Sequence, residues 1–141
     1  MAAYANGIAR YALRKGADYA RDRRVWDAPI GTHQAVAHPL AKAAIDVELA
    51  RLATMRAAWR YDTGDERGAG EAANIAKYAA AEAAIAAVDA AIQAHGGNGM
   101  SVEYGLGPLW GAVRATRIVP VSQEMVLNFI AQHTLNLGRS Y

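Results

Sequence analysis

The stretch from residue 71 to residue 95 constrains this chain more than any other. It is dominated by alanine and sets Ile75, Tyr78, Ile85 and Ile92 near a heptad seam. Alanine is the strongest intrinsic helix former and loses no side-chain entropy in a helix, whereas the β-branched residues that favour strands are sparse here. The spacing predicts one long helix whose alanines let a neighbouring helix approach closely. Gly96-Gly97 is expected to end it as a left-handed C-cap, with Asn98-Gly99 continuing the turn.

The rest of the chain is read around that helix. Residues 2 to about 24 place Tyr4, Ile8, Tyr11 and Ala12 at helical spacing. No N-cap residue precedes them, so the chain is expected to begin inside a longer helix or to lack upstream sequence. Asp27-Ala28-Pro29-Ile30-Gly31 breaks the pattern and predicts a short loop. Thr32 is the expected N-cap of a second helix running to about residue 61, bent or loosened in its first turns by Pro39. Ile45, Leu49, Leu52 and Trp59 mark one apolar stripe of that helix, and Val36, Leu40 and Val47 mark another, which predicts a central helix. Residues 62–70 are polar and glycine-rich and predict a surface connection. A weaker segment, residues 106–119, contains Gly107, Pro108 and Gly111 and is stopped by Pro120. Ser122 is expected to cap a last helix reaching about residue 136, with Glu124 favourable to its dipole. The expected fold class is all-α, an up-down four-helix bundle in a single domain over residues 1–141.

Composition excludes several kinds of chemistry. With no cysteine the chain holds no disulfide scaffold, thiolate nucleophile or Cys-based zinc site, which fits a reducing cytoplasm. Charged residues punctuate every helical run, and the N-terminus lacks the basic and apolar regions of a signal peptide, so neither membrane insertion nor export is expected. The formal net charge is only +2 and the Arg21, Arg23, Arg24 cluster is short, which argues against nucleic-acid binding. His33 and His38 are on different helix faces, and His95 and His133 belong to separate elements, so no metal site is expected. Glu48, Glu82, Asp89 and Glu103 show no pairing suited to acid–base work, and the serines lack a nucleophile-elbow context.

Two features suit a ligand, although each has an ordinary structural reading. Arg23 followed by Trp26 can hold a phosphate and cover a ring, or serve only as packing. Gly96-Gly97-Asn98-Gly99 can let backbone approach a ligand, or merely end a helix. Their order along the chain adds weight. Tyr19-Ala20-Arg21-Asp22-Arg23-Arg24-Val25-Trp26-Asp27-Ala28-Pro29-Ile30, His33-Gln34, Glu48-Leu49-Ala50-Arg51, Ala57-Ala58-Trp59, Ala76-Lys77, Ala91-Ile92-Gln93-Ala94-His95-Gly96-Gly97-Asn98-Gly99 and Glu103-Tyr104 follow in turn. This series resembles the C-terminal domain of the acyl-CoA dehydrogenases, collinearly over nearly the whole chain.

The resemblance implies a bundle that follows an N-terminal helical domain and a middle β-domain. It also implies assembly as a homo- or hetero-oligomer, usually a tetramer built as a dimer of dimers through the bundles, with FAD lying across a subunit interface. It gives Arg23 a pyrophosphate contact, places Val25 and Trp26 beside the cofactor, and gives Gln34 a hydrogen-bonding role. Gln93, Gly96 and Gly97 match the segment that meets the adenosine portion, and Ser122, Gln123 and Glu124 match a later cofactor-contacting turn. The implied reaction is α,β-dehydrogenation of an acyl-CoA substrate, with an electron-transfer partner reoxidising the flavin. One position departs from the family: Pro120 stands where many members carry the catalytic glutamate, and Gly111-Ala112 replaces an Arg-Asp pair. The base is then expected just upstream of Met1, near the start of the first bundle helix. The alternatives are a noncatalytic subunit that completes a partner's FAD site, or a substitute base at Glu124 or Glu103.

Overall fold

The computed structural model describes residues 1–139; Ser140 and Tyr141, counted in the expected domain, lie outside the described residues. Three long helices carry the fold: α1 (Ala2–Asp22), α2 (Gln34–Asp62) and α3 (Glu66–His95). A one-turn α4 (Gly97–Met100), α5 (Gly107–Ala115) and α6 (Gln123–His133) complete the helical bundle; α5 forms within the weaker segment 106–119, and α6 is the expected last helix, shortened at its C-terminal end. Both pack on α3.

The expected helix boundaries shift for identifiable reasons. The third helix starts at Glu66, inside the expected loop, because Asp65 caps it: its carboxylate accepts from the Gly68 amide at 2.9 Å. Arg60 also reaches the Asp65 carboxylate at 3.3 Å. A Cβ on Gly68 would lie 2.0 Å from the Arg60 guanidinium, so this glycine makes room for the cap. Thr32 does not cap α2. Its hydroxyl donates to the Pro29 carbonyl at 2.7 Å and closes a 3-10 turn (Ile30–Thr32), while His33 precedes α2 without a side-chain cap. Pro39 stays within α2 as its sixth residue, where its lack of an N–H leaves the Ala35 carbonyl without its i→i−4 donor. Ser122 caps α6 as expected, accepting from the Met125 amide at 3.4 Å, but the helix ends at His133.

The core sits on α3, not on α2 as the two apolar stripes suggested. Buried alanines of α3, among them Ala80, Ala84, Ala87 and Ala91, face Ala5, Ala9 and Ala12 of α1 and Ala43, Val47 and Ala50 of α2. Small side chains on all three helices let their axes come close, so a core forms with few large residues; Leu106, Val88, Val113 and Val126 are the largest fully buried aliphatic side chains. Gly16 marks a close approach of α1 to both α2 and α3: a Cβ there would sit 2.9 Å from Leu40 Cδ2 and 3.2 Å from the Ala91 backbone. The stripe of Ile45, Leu49, Leu52 and Trp59 faces outward, each residue about half exposed or more, from 49% at Leu52 to 63% at Trp59. Among the described residues no helix is long and apolar enough to cross a membrane.

Candidate functional site

Between α1 and α2 the chain forms a hairpin that helical periodicity does not reveal. Strands β1 (Arg24–Val25) and β2 (Ala28–Pro29) pair antiparallel, with Val25 opposite Ala28. The two-residue turn holds Trp26 at φ 51° and Asp27 at φ 62°, the positive values that a tight type I′ hairpin requires. The Arg24 guanidinium donates to the Asp27 carbonyl at 2.5 Å, and the Ile30 amide donates to the Arg23 carbonyl at 2.8 Å, extending the ladder.

A bulky residue at positive φ is strained, and the Trp26 side chain is 87% exposed, with the His33 ring edge-on at 6.1 Å. The fold therefore recovers little from this indole. Trp26→Asn is expected to stabilise the chain by about 1 kcal/mol, because asparagine enters this region far more readily. Denaturant unfolding measures it, and a loss of stability would show that the indole holds the hairpin.

The hairpin and the C-terminal end of α3 wall a common groove. This groove, of about 360 Å³, is lined by Arg23, Val25 and Ile30 from the hairpin region, Tyr19 from α1, Gln93, His95 and Gly96 from the end of α3, and Gly97 from the start of α4. Five residues singled out from the sequence, Arg23, Val25, Gln93, Gly96 and Gly97, thus meet in one place. Trp26 stands at the hairpin tip and Gln34 opens α2, both exposed and outside the groove lining. The Arg23 side chain makes no hydrogen bond or ion pair among the described residues. Gly96 ends α3 at φ 59°, ψ −137°, a conformation that favours glycine, and a Cβ at Gly97 would meet nothing within 4 Å. Gly96 does terminate α3, but its ψ of −137° is not that of the expected left-handed C-cap, and Gly97 begins α4. Gly99 is there for packing: its Cβ would lie 2.6 Å from the Ile92 carbonyl.

Periodicity missed the support beneath the groove. His95 is buried and stacks on Tyr19 with ring centroids 4.1 Å apart, while Tyr104 meets its edge at 5.4 Å. Its Nδ1 donates to the Ala91 carbonyl at 2.8 Å; a carbonyl only accepts, so that nitrogen carries the proton. Asn98 donates to the hydroxyls of Tyr19 at 3.0 Å and Tyr104 at 3.3 Å. One signal was present: Tyr19 precedes Arg23 by four residues, which places both on one side of the α1 terminus.

Ser122, Gln123 and Glu124 lie elsewhere, at the start of α6. Beside them a cavity of about 440 Å³ is lined by residues 1–3, Thr54, Ala76, Lys77, Pro120 and Val121. The two positions considered for a base, Pro120 and the start of the first helix, therefore share one cavity wall. Burial pushes the Lys77 ammonium below its ordinary pKa, against the opposing pull of Glu124. The Glu124 carboxyl is held below the usual range by its own backbone amide and then by the Ser122 hydroxyl. The Glu103 carboxyl is held low by its own backbone amide and then by Ser101. A general base needs a proton affinity raised toward neutrality, so neither of these exposed acids suits that task. Lys77 and His95 are eighteen residues apart on α3, which separates groove and cavity by about 27 Å at the helical rise.

The sequence and the fold both match known proteins. Residues 1–135 match the family model described as acyl-CoA dehydrogenase, C-terminal domain. The acyl-CoA dehydrogenase FadE12 of Mycobacterium tuberculosis is 56% identical over 140 residues, which cover 99% of this chain and 36% of that protein. The solved glutaryl-coenzyme A dehydrogenase–glutaryl-CoA complex superposes with a TM-score of 0.90 at 30% identity, covering 99% of this chain and 35% of that one. The FAD complex of PigA superposes with a TM-score of 0.91 at 27% identity, covering 96% of this chain and 35% of that one. An alanine-cored helical bundle with this groove and this match over residues 1–135 belongs to the acyl-CoA dehydrogenase C-terminal domain family.

Proposed function

We propose that this chain is the cofactor-clasping bundle of an FAD-dependent acyl-CoA dehydrogenase that desaturates acyl-CoA thioesters at the α,β position, with an electron-transfer protein as oxidant. The observation that carries the reading is the convergence of Arg23, Val25, Gln93, Gly96 and Gly97, from separate elements, on one groove. The residues fit the cofactor. Arg23 offers an unpaired planar cation suited to a diphosphate, and the glycines leave space beside it. Trp26 presents a solvent-facing ring, Val25 adds an apolar wall, and Gln34 and Gln93 supply amide hydrogen bonds.

FAD, when bound, supplies the hydride acceptor. Ser122, Gln123 and Glu124 form a second cofactor contact about 27 Å from the groove at the helical rise of α3, a separation that suits a cofactor shared between two copies. The outward stripe of α2 supports such an assembly: Leu49, Leu52, Met55 and Trp59 make an apolar face rarely left bare on a monomer. Pro120 has no proton-accepting group. In a longer parent protein, a carboxylate placed just ahead of Met1 along α1 would reach the cavity that Met1 and Pro120 share. A second reading, a noncatalytic subunit that completes a partner's FAD site, is favoured by Pro120.

The test uses the full-length parent protein, with FAD absorbance followed anaerobically as acyl-CoA thioesters are added. Bleaching by at least one thioester is expected. Flavin that binds and never bleaches across a broad panel would select the noncatalytic reading, and a protein that binds no flavin would sink both.

A further inference from the structure

Four hydrogen bonds meet at a residue that the cofactor reading leaves unused. Arg117, two residues beyond α5, donates through Nε to Glu82 Oε1 at 2.6 Å and through a terminal nitrogen to Glu82 Oε2 at 2.5 Å, a bidentate fork onto α3. Its backbone carbonyl accepts from Lys77 Nζ at 3.3 Å and from the Gln123 amide at 2.8 Å. Glu82 and Lys77 both belong to α3, and Gln123 is the first residue of α6. One residue thus ties the end of one helix to α3 with its side chain, and closes the loop of residues 118–122 with its carbonyl.

Packing does not hold that loop. Ile118, Val119 and Val121 are 57%, 45% and 46% exposed, and Pro120 is exposed as well. The only fully buried α6 side chain is Val126, on the second turn of the helix. An isolated surface ion pair contributes little, but this one is bidentate, half-buried, and shares its residue with two further bonds to the same loop. Lys77 itself lines the cavity that Pro120 and Val121 wall.

We propose that Glu82, Arg117 and Lys77 form a positioning staple that fixes the 118–122 loop, and with it the Ser122–Glu124 turn, against α3. The staple sets where the cavity wall stands relative to the start of α6. Its bearing on the flavin rests on the cofactor reading above; the ordering of the loop does not.

The experiment compares the full-length protein with Glu82→Gln, Arg117→Gln and the charge-keeping Arg117→Lys. Hydrogen exchange of the 118–124 amides is expected to accelerate about tenfold in the two glutamine variants and by an intermediate factor in Arg117→Lys, with α1 and α2 amides unchanged. Exchange equal to wild type, or faster throughout the bundle alike, would overturn the proposal. Where FAD is bound, Glu82→Gln at unchanged flavin content and unfolding temperature is expected to shift the flavin absorption band, and Arg117→Lys is expected to shift it less than Arg117→Gln. A band identical to wild type in every variant would overturn the staple's bearing on the flavin, while hydrogen exchange decides on the ordering of the loop. A parent that holds no FAD refutes the cofactor reading and leaves hydrogen exchange to decide on the staple.

Discussion

Arg23→Ala in the full-length protein is expected to weaken FAD retention by roughly one to two orders of magnitude while leaving the bundle folded. A charged hydrogen-bonding pair contributes about 1.5–3 kcal/mol, and each 1.4 kcal/mol is about a factor of ten in affinity. The fold has no stake in the guanidinium, which is exposed and unpaired. What the fold uses at this position is backbone: the amide donates to the Tyr19 carbonyl at 2.8 Å and the carbonyl accepts from Ile30 at 2.8 Å. Alanine preserves both. Arg23→Lys keeps the charge without the fork and should fall between the two. Flavin absorbance after gel filtration, with a titration of the apoprotein, measures the effect; retention equal to wild type would remove Arg23 from the diphosphate. Trp26→Asn supplies the complement, since it should lower FAD retention while raising stability, the signature of a residue kept for a ligand.

The second large effect concerns assembly. If the proposed assembly through α2 forms, Leu52→Glu combined with Trp59→Glu in the full-length protein is expected to convert it to smaller species. Burying one such side chain is worth about 1.5–3 kcal/mol, and two carboxylates brought into an apolar contact add a desolvation penalty to that loss. Within the chain both residues are largely exposed, at 49% and 63%, so the stability of the single bundle should change by no more than about 0.5 kcal/mol. Analytical ultracentrifugation and unfolding of the dissociated form separate these outcomes. An unchanged mass would show that α2 does not face another copy.

Several elements were legible before any coordinates. The alanine run of α3, the amphipathic α1 and the Ser122 cap are local signals, set by intrinsic propensity and by hydrogen bonds within a few residues. The groove was half legible. Arg23, Gln93 and Gly96 stand out through their family-like order; Tyr19, His95 and Asn98 belong to the same series, but their support of the groove is not legible because it comes from ring stacking and long-range hydrogen bonds. The hairpin was missed because its turn residues, Trp26 and Asp27, are not the glycine or asparagine that usually announce positive φ.

From the sequence alone follow the all-α class, the extents of the long helices to within a few residues, and the absence of a carboxylate at Pro120. The tertiary structure alone decides which helix is central. A stripe of large apolar residues reads as buried, but three alanine-faced helices can pack more closely against one another than against that stripe, so Ile45, Leu49, Leu52 and Trp59 are turned outward. The same packing brings Met1 and Pro120, far apart in the chain, to a single cavity. Periodicity marks which residues of a helix share a face; which face turns inward is set by the competing surfaces of the other helices.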